Sequence, residues 1–293
     1  MKSLLAIVVA ILMVFTVILV ITPAVAAPNE KANDNAKFGP VVSIPENAKK
    51  ISDHVYYLGK SKDVDGTTIE GFAFVYKDKA HQAKPPGTPG KGPDKGNGDG
   101  DNGDVECFKF IGGEWNLEMK EGWDFYTTNS RGMDQTNLFG NFTDDVQKWE
   151  NEVASGNILN DGNRIDTVFP GIISSADPNA IFFGDVDSEG AIAVTFVWTT
   201  VGKPSLREIR AFDMVFDQVD YNWSNNAPGD AIANTMDFNN IAMHELGHVI
   251  GMDHPKDGSC TEETMWRSAA NEEIKKRSLH AGDIEGISAL YEQ

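Results

Sequence analysis

Cysteine is nearly absent from this chain, which holds only Cys107 and Cys260 in 293 residues. At most one disulfide can form. In an exported protein such a pair suggests that bridge, with Cys107 as a metal ligand in a latent state or as a free thiol as the other readings. Basic residues are also scarce: 25 Lys and Arg stand against 44 Asp and Glu, for a formal charge of −19. Such an imbalance argues against nucleic acid and anionic lipid surfaces as partners and mostly reads as solubility. Long apolar runs are missing after Ile21, so no second membrane-spanning segment is expected. No internal repeat appears, glycine–aspartate calcium repeats included.

The chain begins with Lys2 ahead of an apolar run from Leu4 to Ile21, then the small-residue sequence Ala24-Val25-Ala26. Residues 1–27 therefore read as a signal peptide, with an uncleaved N-terminal anchor as the alternative. Either reading places the remainder outside the cytoplasm, secreted or tethered. A membrane becomes a partner only if the segment stays uncleaved. Residues 83–104 are rich in Pro, Gly, Lys, Asp and Asn with almost no apolar side chains, the composition of a flexible linker. Between these, residues 28–82 contain two strand-like stretches, His54–Leu58 and Gly71–Tyr76, joined through Asp65-Gly66. They predict a small β-hairpin, read as a propeptide or as an accessory module that stays attached. Residues 105–293 form the main domain.

His244-Glu245-Leu246-Gly247-His248-Val249-Ile250-Gly251-Met252-Asp253-His254 spells HExxHxxGxxH. His244 and His248 are four apart and share one helix face, where two neutral imidazoles can bind one Zn²⁺. Glu245 points roughly 100° around the axis and reaches a metal-bound water rather than the metal, so it is the candidate general base. A continued helix would carry His254 roughly 15 Å along the axis, out of reach of the same ion. Gly251 is placed to end the helix, letting the chain turn back and deliver His254 as third ligand. Asp237 or Asn239 can cap the helix start. Three protein ligands leave a fourth position for water, the pattern of catalytic zinc. The implied reaction is peptide-bond hydrolysis by activated water, without a covalent enzyme intermediate. The rival from another class is a non-catalytic surface-binding module that keeps the zinc site.

The motif, followed by Glu263-Thr264-Met265-Trp266, resembles the metzincin clan of zinc peptidases, in which the methionine forms an apolar floor under the histidines. Within the clan the chain is most similar to the matrixins, the matrix-metalloprotease-like M10 branch. The ending Leu279–Tyr291, with Asp283-Ile284-Glu285-Gly286-Ile287-Ser288-Ala289-Leu290-Tyr291, and the segments Ala191–Trp198 and Ile209–Trp223 carry that likeness. The resemblance implies an α+β fold: a twisted mixed β-sheet packed on three helices, preceded here by the small N-terminal hairpin segment. It implies Met265 as support, protein or peptide substrates, and a strand at Ala191–Thr199 that is the sheet edge receiving extended substrate. A monomer is expected. Trp266 and Arg267 are placed to line a specificity pocket. Structural calcium is a weaker expectation, at Asp185, Asp187 and Glu189. Pro255 stands where matrixins usually carry Ser, Gly282 replaces the first of two aspartates, and the Pro-Arg-Cys-Gly cysteine switch is missing. The remaining pattern predicts strands near Cys107–Phe110, Trp123–Thr127, Thr167–Phe169, Ile181–Phe183 and Glu208–Phe216. It predicts helices over Thr143–Val153 and near Ala281–Tyr291.

Overall fold

The computed structural model describes residues 39–81, 106–154, 156–175 and 179–292. The export segment read at 1–27 and the linker read at 83–104 lie outside them. The N-terminal segment holds β1 (Val41–Ser43), β2 (Lys49–Lys50), β3 (Val55–Lys62) and β4 (Thr68–Asp78). Then come β5 (Lys109–Phe110), β6 (Glu114–Trp115), β7 (Trp123–Tyr126), helix α1 (Gln135–Glu150) and β8 (Gly162–Ile165). The longer strands are β9 (Asn179–Asp187), β10 (Ala191–Thr200) and β11 (Glu208–Asp217). Short strands β12 (Trp223–Ser224) and β13 (Met236–Asp237) lead into α2 (Phe238–Val249). β14 (Met252–Asp253), β15 (Ser268–Ala269) and α3 (Ala281–Tyr291) complete the order.

One twisted sheet organises these elements, with the order β2-β3-β4-β10-β11-β9-β7-β8. The β7, β8, β9 and β11 pairings are parallel, whereas β11–β10, β10–β4 and β4–β3 are antiparallel. The main core lies on one face and includes Trp149, Phe142, Leu246 and Ile287 from the three helices. A smaller cluster around Phe169, Phe182, Phe196 and Val215 covers the other face. The α+β architecture expected from the sequence, a mixed sheet on three helices, is what forms.

Three local expectations change. The first helix starts at Gln135 rather than Thr143, because Asp134 caps it by accepting from the Asn137 amide at 2.9 Å. Thr143 lies inside the helix and donates back to the Phe139 carbonyl. Residues 167–169 form no strand; β8 flanks β7 instead, and Phe169 stacks on Phe182 at 4.3 Å.

The third change is larger. β10 was expected to be an open edge, and it is interior. β4 pairs with it antiparallel from Ile69↔Thr200 to Lys77↔Ala191. β10 has nine buried residues among its ten, the continuous burial of a strand covered on both faces. The expected β3–β4 hairpin does form, turning through Gly66 at φ +86°. It has no core of its own. Phe74 and Tyr76 enter the main core, while Ile69, Ala73 and Val75 join the smaller cluster. Arg207 holds Glu70 at 2.9 Å, and Arg210 holds Asp63 at 3.1 Å and Asp65 at 2.9 Å, fastening the hairpin to the body.

Candidate metal centre

Helix α2 is buried at all twelve positions. Asp237 caps it, accepting from the Asn240 amide at 2.9 Å. The helix stops at Ile250, and Gly251 follows at φ +109°. A Cβ there would stand 2.7 Å from the Gly113 carbonyl oxygen, so glycine is required by conformation and by space. Trp115 Nε1 donates to the Val249 carbonyl at 2.8 Å and the Tyr291 hydroxyl to the Ile250 carbonyl at 2.9 Å. These bonds satisfy carbonyls left free by the helix end. The chain then reverses through β14, which pairs with β5, and brings back His254.

The three imidazoles converge. His254 Nε2 is 3.1 Å from His244 Nε2 and 3.1 Å from His248 Nε2. His244 Nδ1 faces the Thr264 carbonyl at 2.7 Å, and His248 Nδ1 faces the Met252 carbonyl at 2.9 Å. Carbonyls only accept, so both Nδ1 atoms carry the proton and both Nε2 lone pairs point at one shared space. Burial lowers the basicity of all three rings, with His248 down to about 4, which keeps them neutral. Facing lone pairs on neutral, fully buried rings repel unless a cation lies between them, and Zn²⁺ suits such a donor set. Among the described residues this is the one group of three His, Cys, Asp or Glu side chains gathered tightly enough to hold a metal ion. The turn at Asp185, Asp187 and Glu189 gathers no such set, and nothing supports calcium there.

Glu245 is fully buried beside them. Its Oε2 accepts from the Thr195 hydroxyl of β10 at 2.5 Å, while Oε1 has no partner. Burial pushes its carboxyl up to about 8, with the Thr195 bond and the Lys276 charge acting the other way. The orphaned oxygen is a buried acceptor that the protein leaves without a donor.

Met265, expected from the resemblance to lie under the histidines, packs against α2. It is fully buried, and its Sδ occupies the space that a Cβ on Gly247 of α2 would fill. Asp283 at the start of α3 fixes the turn, its two oxygens accepting from the Thr264 amide at 2.7 Å and the Met265 amide at 3.1 Å. The same Thr264 then orients His244 through its carbonyl. Cys107 and Cys260 form a disulfide, and no described cysteine is free. A Cβ at Gly282 would lie 2.7 Å from both the Cβ and the carbonyl oxygen of Cys107. That contact accounts for glycine where an aspartate is usual.

The cleft over these groups is filled by the N-terminal segment, which the sequence did not reveal. Tyr76 stacks on His244 at 3.7 Å with an interplanar angle of 6°. Phe74 stacks on His248 at 4.4 Å, and His54 meets His254 edge-on at 5.4 Å. His54 Nδ1 also bonds the Val75 carbonyl at 3.1 Å. Each histidine of the triad is thus covered by one ring. Lys276, fully buried, bonds the Tyr76 hydroxyl, the Trp266 carbonyl at 2.9 Å and the Ser268 carbonyl at 2.7 Å. Of the expected pocket residues, Trp266 contributes that carbonyl, and Arg267 lies over the Trp266 ring at 4.1 Å. Alternation of Phe72, Phe74 and Tyr76 was the available signal for one apolar strand face; nothing local named the face it meets.

The matrixin family model (Peptidase_M10) matches residues 99–292 of the chain. No curated protein matches it. Among the described residues, no helix is long and apolar enough to cross a membrane.

Proposed function

The chain belongs to the matrixin family of zinc metalloendopeptidases, and from that premise we propose that it is an exported endopeptidase made in a self-occluded form. The observation that carries the reading is the pairing of three converging Nε2 atoms with the unpartnered Glu245 Oε1. His244, His248 and His254 would hold Zn²⁺. When bound, the ion would supply a Lewis acid beside Glu245. Thr264 and Met252 fix the two helix imidazoles in the ligand tautomer. Thr195 holds one Glu245 oxygen, so the other is aimed for proton transfer, first from water and then to the departing amine. Opening the cleft to water and placing a cation at the histidines both draw the Glu245 proton off, which readies the base. A purely structural zinc site would need no buried carboxylate, which argues against the non-catalytic module.

The hairpin within residues 28–82 then acts as a propeptide. β4 occupies the β10 edge where an extended substrate would add a strand, and its rings cover the triad. Severing the segment that joins it to the body would let it leave. Signal-directed export follows from residues 1–27.

The test uses the full chain with an engineered cleavage sequence inside residues 83–104. Casein hydrolysis should appear after the cut, stop with a chelator and return with Zn²⁺. Glu245→Ala should bind zinc at parent stoichiometry yet lose hydrolysis by at least about 10²- to 10⁴-fold. Parent-rate hydrolysis by that variant would refute the base assignment. Inert zinc-loaded, cut protein would favour the binding module.

A further inference from the structure

We propose that Lys276 sets the side-chain preference of this cleft, selecting a substrate tyrosine for the cavity that Tyr76 now fills. The inference rests on the reading of the β10 edge as the substrate groove and adds what the groove selects. β4 runs antiparallel to β10 and parallel to β15, with Lys77 opposite Ser268. Beyond Phe74, where its pairing with β3 ends, the strand lies between β10 and β15, the posture of an extended peptide bound by strand addition. The chain has in effect docked a peptide of its own.

Two aromatic side chains of that strand lie on the metal histidines, and they differ in kind. Phe74 meets His248 with a ring alone. Tyr76 meets His244 with its ring and reaches beyond it to a polar floor. Lys276 has three ammonium donors. Two are taken by the carbonyls of Trp266 and Ser268, which belong to the wall after the methionine turn. The third meets the Tyr76 hydroxyl, with Glu273 Oε1 at 3.4 Å as a nearby countercharge. When β4 leaves, the lysine stays with the wall and only the hydroxyl departs. The floor then presents one buried donor to the next side chain that enters.

Phenylalanine in this cavity would match the His244 ring but leave the donor dry and unpaired. A site built around a hydroxyl rejects the analogue that lacks it, because its own polar group is stranded. Serine and threonine end too close to the backbone to reach the floor. Tyrosine supplies both ring and oxygen at the observed depth.

The full chain, cut at an engineered sequence inside residues 83–104 and retaining both pieces, is assayed with peptides of residues 68–78. These carry Tyr, Phe or Leu at the Tyr76 position. The kcat/KM for tyrosine should exceed that for phenylalanine by roughly 10- to 100-fold. In Lys276→Met the ratio should fall to near unity. The same two peptides are titrated against the cut Glu245→Ala chain by fluorescence anisotropy, where affinity should show the same order without turnover. Equal kcat/KM or equal affinity for tyrosine and phenylalanine in the parent pocket overturns the proposal. Tyrosine-selective binding with no turnover of any peptide supports the pocket and sinks the peptidase reading instead. If Lys276→Met does not fold, the parent ratio decides alone.

Discussion

Replacing Phe74 by alanine should switch on the uncut chain. Phe74 is 2% exposed and its ring lies 4.4 Å over His248. Truncating a buried phenylalanine costs about 3–5 kcal/mol. That cost falls on the docked hairpin alone, because in the open state the position faces water whichever side chain it carries. Taking about 3 kcal/mol, and one decade per 1.4 kcal/mol, the open fraction should rise roughly 100-fold. Hydrolysis of a quenched fluorogenic peptide by the uncut variant should rise by the same factor, up to the rate of the cut enzyme. Ile51→Ala, at a position 56% exposed, is the control and should leave the rate unchanged. Amide hydrogen exchange in β3 and β4 reports opening independently. Faster exchange without faster hydrolysis would refute the reasoning, since it would mean that the hairpin opens yet was never what kept substrate out.

The Cys107–Cys260 bridge closes a separation of 153 residues. Chain entropy for a loop of that size gives an upper limit of roughly 5 kcal/mol, so Cys107→Ser with Cys260→Ser should lower the urea midpoint clearly. No shift would mean that the bridge constrains nothing in the unfolded chain. Asp145 is fully buried, and burial raises its pKa from 3.8 to about 7 against the opposing pull of Lys148. A carboxyl that holds its proton more tightly when folded makes stability fall as pH rises from about 4 to about 7, with no further change above that window. Asp145→Asn should therefore gain on the parent by a few kcal/mol between pH 4 and pH 8, against a ceiling of about 4 kcal/mol from three pKa units; a constant difference in urea midpoints would contradict this. Gly251→Ala forces a side chain into φ +109° and against the Gly113 carbonyl. Chelator competition should find zinc bound roughly 10- to 100-fold more weakly, as for other disturbances of ligand orientation, and unchanged affinity would remove the turn from the argument.

The zinc motif was legible because it is local. Spacing alone placed His244 and His248 on one face, and the need to return His254 singled out Gly251; both positions behave as the spacing requires. The last helix, expected near Ala281–Tyr291, forms there, since its pattern lies within one short stretch. The start of the first helix was missed because Thr143 and Asp134 are both good caps. Choosing between them depends on Leu138 and Phe142 being buried, Phe142 against Phe125 of β7 and Phe238 of α2. The occupied cleft was illegible for a stronger reason. Pairing of β4 with β10 joins residues more than a hundred positions apart across a stretch of linker composition, and strand propensity does not name a partner. The apolar face of β4 was visible; that its apolar partner was the metal site was not.

The proposed latency suits a chain short of thiols. A chain that commits both cysteines to a bridge has none left to place on a metal. What remains is occlusion by a strand: ladder bonds to β10 and β15, three rings on three histidines, and a lysine floor under one of them. This device differs from a thiol ligand in what releases it. A reductant attacks the bridge, which joins the front of the main domain to the loop before Met265, and leaves every contact of β4 in place. Reduction should therefore destabilise the uncut chain without activating it, whereas a thiol-held latent form would be woken by thiol-reactive reagents. Treating uncut protein with a thiol-modifying mercurial separates the two by the appearance or absence of peptide hydrolysis, and prompt activation would show that a cysteine, not the strand, keeps the cleft closed.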